Sequence, residues 1–343
     1  MSLFDNFDNK KPDVAGKDNK EQKREKNYIK DLQVGKPVDG YFKVLSVGKK
    51  AKKDGSPFLA LEVMDKTGKI PAKIWDNADH YFSILKEGDI YKINGYVNEF
   101  MNQKEIKVDS LRSLAPKDKN IDEDDFVEKA AFDTGKTFDE MITTMKSHLA
   151  NPFLLKLTDL FTREYANRFK DHYGAQKVHH AYIGGLLQHT RSMMEMAIFC
   201  ADHYSLDKEL LLTGVLFHDI GKMFEFTVSP TIDATLAGGL LGHLIIGNNI
   251  FLELKEKIPG FPEELGVKVQ HLIISHHGEK EFGSPEVPKI PEAYVLHIID
   301  LLDSKLKIFE EALTGSETKG LFSDYVKVLG RRLYVPPKEK KNE

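Results

Sequence analysis

At 343 residues, 41% of them hydrophobic, the chain is long for a single core and apolar enough to fold over most of its length, which favours two domains or more. One cysteine, Cys200, excludes an intrachain disulfide and points to a reducing, cytoplasmic setting. Residues 1–30 lack the apolar core of a signal peptide, and no apolar stretch approaches the roughly 18 residues of a membrane helix, so no membrane partner is expected.

The net charge of -4 hides an asymmetry. Lys and Arg stand against Asp and Glu at 8 to 7 over residues 1–35, 14 to 11 over 36–115 and 27 to 35 thereafter. Polyanion binding is expected to begin on the front module, with metal ions offsetting the acidity of the back one.

Residues 1–27, with scarcely an apolar side chain beyond Leu3, Phe4 and Phe7, read as a disordered charged tail. From Tyr28 the apolar period becomes two. Strands are expected at 38–47, 58–64, 70–75, 90–97 and 106–111, with hairpin turns at 66–69 and 101–103 and a short helix at 78–85. Five strands with a helix between the third and fourth is the order of an OB-fold, here 28–115, a small barrel that often binds single-stranded nucleic acid. Alternation sets Lys69, Lys73 and Trp75 on one face of the third strand and Lys92 with Tyr96 on the fourth. Such a face offers bases an aromatic platform and phosphates a cation, although Trp75 and Tyr96 could equally cap the barrel. Pro71 suggests an edge or a bulge. The lysine-rich loop 49–55 is either a phosphate clamp or a solvated turn.

Residues 116–136, with Pro116 and the acids of 122–125, read as a linker. The period then turns helical through about 330, with Thr137 and Asn151-Pro152 as helix starts, and 331–343 form a C-terminal tail. The fold class is multidomain α+β: a small N-terminal β-barrel followed by an all-α domain.

Several of the thirteen histidines stand in apolar surroundings. His218-Asp219 closes the run that begins at Leu210. His189 follows Gly184-Gly185-Leu186-Leu187-Gln188, His243 lies within Leu240-Leu241-Gly242-His243-Leu244-Ile245, His276-His277 follow Leu272-Ile273-Ile274, and Asp300 sits in an apolar helix. Burying so many polar groups separately is costly, and a shared metal is the economical explanation. Lys222, at i+4 from His218, could point an ammonium at whatever the metal holds, if the helix persists past Gly221.

The order His189, His218-Asp219, Asp300 resembles the HD-domain metal-dependent phosphohydrolases, and His243 with His276-His277 resembles the subset holding two ions. His180-x-x-x-Gly184-Gly185-Leu186-Leu187-x-His189-Thr190, His276-His277-Gly278 with Phe282-Gly283-Ser284-Pro285 close behind, and Leu296-His297-x-x-Asp300-x-x-Asp303-x-Lys305 look like the YhaM-type 3'-to-5' exoribonucleases. These join an OB-fold to an HD domain, and the likeness spans roughly residues 28–325. It implies an HD domain at 137–330 and one ion on His189, His218, Asp219 and Asp300. A second ion would take Asp219 as bridge with His243, His276 and His277. Which of the adjacent pair is a ligand is left open, because consecutive helix residues point about 100° apart. Asp303 and His180 would support the ligands from outside. Mn2+ is the metal implied, with Fe2+, Ni2+ or Co2+ acceptable to the same donors.

The expected chemistry is hydrolysis of single-stranded RNA from its 3' end to 5'-mononucleotides, with Asp219 and Lys222 as catalytic groups and the OB-fold guiding the strand. Single-stranded DNA is not excluded, and the resemblance implies assembly as a homo-oligomer. Two rivals stand beside this reading. One is an HD phosphohydrolase of cyclic dinucleotides or guanosine tetraphosphate, against which the segment after His276-His277 lacks Gly-Tyr-Pro. The other is a catalytically silent nucleic-acid-binding adaptor.

Overall fold

The computed structural model describes residues 28–100, 103–114, 122–127, 129–174, 182–227, 234–314, 321–323 and 325–336. The chain divides into two compact units, the first running to Lys129 and the second beginning at Ala130.

The first unit is a closed five-stranded barrel. Its elements are β1 (Pro37–Ala51), β2 (Pro57–Asp65), β3 (Gly68–Ile74), α1 (Ala78–Ile84), β4 (Ile90–Phe100) and β5 (Gln103–Ser113), in the order β1-β2-β3-β5-β4. β1 is long enough to serve two neighbours, pairing with β4 through Pro37 to Lys43 and with β2 from Lys43 onward. A register shift between Val44 and Ser46 bends it from one partner to the other. Inward residues such as Val38, Phe42, Ile74, Ile93 and Ile106 fill the interior at 2% exposure or less. β5 joins β3 in parallel only from Ala72, so Pro71, without an N–H, sits at an edge position on that side. The β2–β3 turn is tied by Asp65, whose carboxylate accepts from Thr67 N at 2.7 Å and Ile29 N at 2.6 Å. Of the second expected hairpin turn, Met101 and Asn102 lie outside the described residues.

The expected linker needs correction at its acidic run. Asp125 is buried, accepting from the Tyr28 hydroxyl at 3.2 Å and pairing with Lys66 Nζ at 2.7 Å, so this segment is built into the barrel unit.

The second unit consists, among the described residues, of α2 (Thr134–Ser147), α3 (Pro152–Lys170), α4 (Gly185–Tyr204), α5 (Lys208–Phe217), α6 (Lys222–Glu225), α7 (Leu236–Glu256), α8 (Glu263–Ser275) and α9 (Pro291–Thr314). Three of the starts, those of α3, α5 and α7, are capped by side chains: Asn151 accepts from Phe153 N, Asp207 from Leu210 N and Thr235 from Gly238 N. α2 begins three residues ahead of Thr137, because Asp133 accepts from Lys136 N at 3.0 Å and supplies the cap. Every residue of α5 from Leu210 to Phe217 is buried, which explains its unbroken apolar run. α5 packs on α4, α8 and α9 and carries His218-Asp219 at its C-terminal end.

Two further expectations change. The 21-residue α7 is long and apolar enough to cross a membrane by composition, contrary to the reading of no such stretch; Gly242 interrupts it with non-helical geometry, and it packs on α3, α6 and α8. The C-terminal tail begins later than residue 331, since Arg331 and Tyr334 bridge Val326 and Phe322, and Leu333 is buried.

Candidate metal centre

The helix carrying the site stops where the site begins. α5 ends at Phe217; His218 still donates its N–H to Gly214 O at 2.8 Å, and the chain then turns through Ile220 and Gly221 into α6. Gly221 is required by contact, because a Cβ there would lie 2.0 Å from His243 O and 2.7 Å from Gly247 N of α7. Gly242, at φ +70°, lets α7 change direction immediately before His243. The two glycines bring His218-Asp219 and His243 together.

Asp219 stands at the middle, 3% exposed. Its Oδ2 lies 3.3 Å from His218 Nε2 and 3.7 Å from His189 Nε2, and His189 Nε2 is 3.3 Å from Asp300 Oδ1. Its Oδ1 lies 3.6 Å from His243 Nε2 and 3.7 Å from His276 Nε2, while His277 Nε2 is 3.2 Å from His243 Nε2. The two carboxylate oxygens therefore face two histidine sets. Each set is tight enough to hold an ion: donor atoms of His189, His218 and Asp219 lie within 4.8 Å of one another, as do those of His243, His276 and His277.

Whether these residues suit metal ions can be judged from the other nitrogen of each ring. His218 Nδ1 is 2.8 Å from Val215 O, His276 Nδ1 2.8 Å from Ile273 O and His277 Nδ1 3.0 Å from Phe282 O. His189 Nδ1 is 2.7 Å from Asp303 Oδ2, and His243 Nδ1 2.9 Å from Glu225 Oε2. Carbonyls and carboxylates only accept, so wherever these rings are neutral and face no second carboxylate within hydrogen-bond distance, as at His218, His243, His276 and His277, the proton sits on Nδ1 and the Nε2 lone pairs converge. Converging lone pairs call for cations. Asp219 Oδ1 adds to the demand, being buried with no hydrogen-bond partner among the described residues. Imidazole and carboxylate donors in this mixture suit first-row divalent ions.

The electrostatics agree. Burial by itself would raise the Asp219 carboxyl, but Lys222 and the histidines hold it well below the usual carboxylate range. Burial likewise opposes protonation of His189, which the Asp300 and Asp303 carboxylates overcome, pushing it up to about 9. On the other side burial, with His218 and His277 adding to it, drives His276 well below the ordinary imidazole value, and burial with His243 lowers His277. A proton can answer the carboxylates around His189, whereas His276 and His277, which burial keeps from protonating, leave their ring nitrogens to a metal ion.

Of the residues expected from the sequence, His189, His218, Asp219, His243, His276, His277 and Asp300 come together here. His276 and His277 both reach the centre because α8 ends at Ser275, so the angular rule for consecutive helical residues does not apply to them. Asp303 backs His189 and also accepts from the Ser192 hydroxyl. Lys222 turns onto the centre through α6, with Nζ 2.6 Å from Asp219 Oδ2 and 2.8 Å from Gly174 O. His180 lies outside the described residues. Glu225, which backs His243 and accepts its N–H at 3.3 Å, escaped sequence reasoning. Its one signal is an acid among apolar neighbours, Met223-Phe224-Glu225-Phe226.

On the barrel, Trp75 stacks on Phe58 with ring centroids 4.7 Å apart, and Tyr96 is 52% exposed. Lys73 is committed to Glu105 at 2.6 Å and lies over the Phe100 ring, and Lys92 pairs with Asp39 at 2.9 Å. Lys69 is on the exposed side of β3; Lys49, expected at the start of a loop over 49–55, lies instead in β1, which stays paired with β2 as far as Ala51, and it pairs with Asp79.

Residues 186–305 match the HD domain family, and residues 43–114 match a family described as OB-fold nucleic acid binding domain. The chain is 35% identical over 310 residues to the 3'-5' exoribonuclease YhaM of Geobacillus sp. (strain WCH70), covering 90% of this chain and 94% of that protein. To the 3'-5' exoribonuclease YhaM of Bacillus subtilis (strain 168) it is 34% identical over 306 residues, with 89% and 96% covered. Among solved structures, the second OB-fold domain of replication protein A from Methanococcus maripaludis is 24% identical, covering 28% of this chain and 99% of that one at a TM-score of 0.22.

Proposed function

The chain belongs to the family of the 3'-5' exoribonuclease YhaM, and from that premise we propose that it shortens single-stranded RNA from the 3' end, releasing 5'-mononucleotides at the histidine–aspartate centre. The observation that carries this reading is the division of Asp219, one carboxylate oxygen toward His189 and His218 and the other toward His243 and His276. His189, His218, Asp219 and Asp300 would hold one divalent ion, and Asp219, His243, His276 and His277 a second. Bound there, Mn2+, or Fe2+, Ni2+ or Co2+, supplies Lewis-acid polarisation of the phosphoryl group and a nucleophile from water at neutral pH.

The protein's own groups do the positioning. Asp303 and Glu225 fix the rings of His189 and His243, while backbone carbonyls fix the other three, so the donors are aimed before any ligand arrives. Lys222 holds Asp219 ionised and adds positive charge where the phosphodiester's negative charge gathers. The barrel would steer the strand, chiefly by stacking on Trp75 and Tyr96. Stacking platforms tolerate either sugar, so single-stranded DNA is a second expected substrate. A cytoplasmic setting suits this activity.

RNA labelled at its 5' end and incubated with Mn2+ should give a ladder shortening from the 3' end. Internal cuts, or activity on cyclic dinucleotides alone, would refute the proposal.

A further inference from the structure

Lys280 to Phe282 form a single 3-10 turn after α8, and the segment is anchored throughout by its backbone. Phe282 N donates to Glu279 O at 3.0 Å, and Gly283 N to Lys280 O at 3.0 Å with Gly283 at φ +86°. Ser284, 4% exposed, has its hydroxyl 2.7 Å from Glu286 O and 3.0 Å from Ile274 O, tying the turn to the end of α8. Phe282 O accepts from His277 Nδ1 at 3.0 Å. By backbone dimensions the Phe282 Cα is then no more than about 5.5 Å from that ring nitrogen. The Phe282 side chain nevertheless stays 64% exposed. A turn fixed so firmly, with its carbonyl on a candidate metal ligand and its large aromatic ring left to solvent, has one side chain held ready beside the centre.

We propose that Phe282 is the stacking surface for the 3'-terminal nucleobase of the substrate, seating the last nucleotide while its phosphodiester lies at the centre. The inference rests on the exoribonuclease reading and names the contact that reading lacks. An enzyme that removes every nucleotide in turn cannot rely on hydrogen bonds to one base edge, whereas each base has a π face to stack on.

The test uses the full-length protein and RNA carrying 2-aminopurine as its 3'-terminal base, bound in Ca2+ to separate binding from turnover. Stacking should quench the fluorophore on the wild-type protein, Phe282→Ala should restore its emission, and Phe282→Trp should quench again. In Mn2+, Phe282→Ala should lower kcat/KM on ordinary RNA by ~10-fold and leave it unchanged on RNA ending in an abasic nucleotide. Equal losses on both substrates would mean that the turn only supports His277, and would overturn the proposal, as would quenching that persists in Phe282→Ala. Quenching that depends on Phe282 in a protein that does not shorten RNA would leave the stacking site standing and remove the exoribonuclease reading instead.

Discussion

The metal centre and the outer face of the barrel use similar side chains in opposite ways. In the centre, acids and histidines are buried or half-buried and each ring is fixed from behind, so polarity is left over for a ligand and points inward. On the barrel, the cations Lys73 and Lys92 are already neutralised by Glu105 and Asp39, and beside them lies aromatic surface, Trp75 on Phe58 and the exposed Tyr96. The difference separates two kinds of affinity. One depends on charge the fold leaves unanswered; the other on π faces that need no charge.

The sharpest way to break this contrast is at Asp219. Asp219→Ala removes an oxygen from both halves of the centre and should cut RNA hydrolysis by on the order of 10³-fold or more, with metal content falling at both sites. Metal analysis beside the labelled-RNA assay checks it, and full Mn2+ content in the variant would mean that Asp219 does not join the halves. At Lys73, Lys73→Met should behave unlike the loss of a phosphate contact. It strands Glu105, whose side chain is 8% exposed, and should lower stability by about 3 kcal/mol in a denaturant titration. A variant that keeps its stability but loses RNA affinity with a shallower salt dependence would show Lys73 to be a phosphate contact after all.

Within the centre, the outer carboxylates allow the halves to be told apart. Asp303→Asn and Glu225→Gln should each weaken metal binding by about 10- to 100-fold, the first at the His189 site and the second at the His243 site. Isothermal titration of metal-free protein with Mn2+ should resolve a different lost phase in each variant. The same phase lost in both would mean a single shared site.

The sequence carried the barrel well because alternation reports burial directly: Ile70, Ala72 and Ile74 all turn inward as their spacing requires. It carried the centre for a related reason, since histidines and acids embedded in apolar runs need a common partner wherever they end up. What it did not carry depends on chain direction after a break or on long-range pairing. Glu225 comes into place only because the chain turns at Gly221, and His276 and His277 converge only because α8 stops at Ser275. Asp125, in an acidic run that looks solvated, is buried through its pairing with Tyr28 and Lys66, partners nearly a hundred and about sixty residues away.

The smallest expected effect tests the barrel side of the comparison alone. Trp75→Ala removes one ring of the Trp75–Phe58 stack, and alanine substitution at a base-stacking platform lowers affinity by about 1–3 kcal/mol per base. Binding of a long single-stranded RNA should weaken accordingly, while hydrolysis of a dinucleotide, whose only demand is on the centre, stays at the wild-type rate. Because the lost contact is apolar, the slope of affinity against salt should not change, which distinguishes it from removal of a cation. If Trp75→Ala leaves RNA affinity intact but lowers stability, the ring caps the barrel beside Phe58, and the strand must be guided by Tyr96 and the neighbouring surface without it.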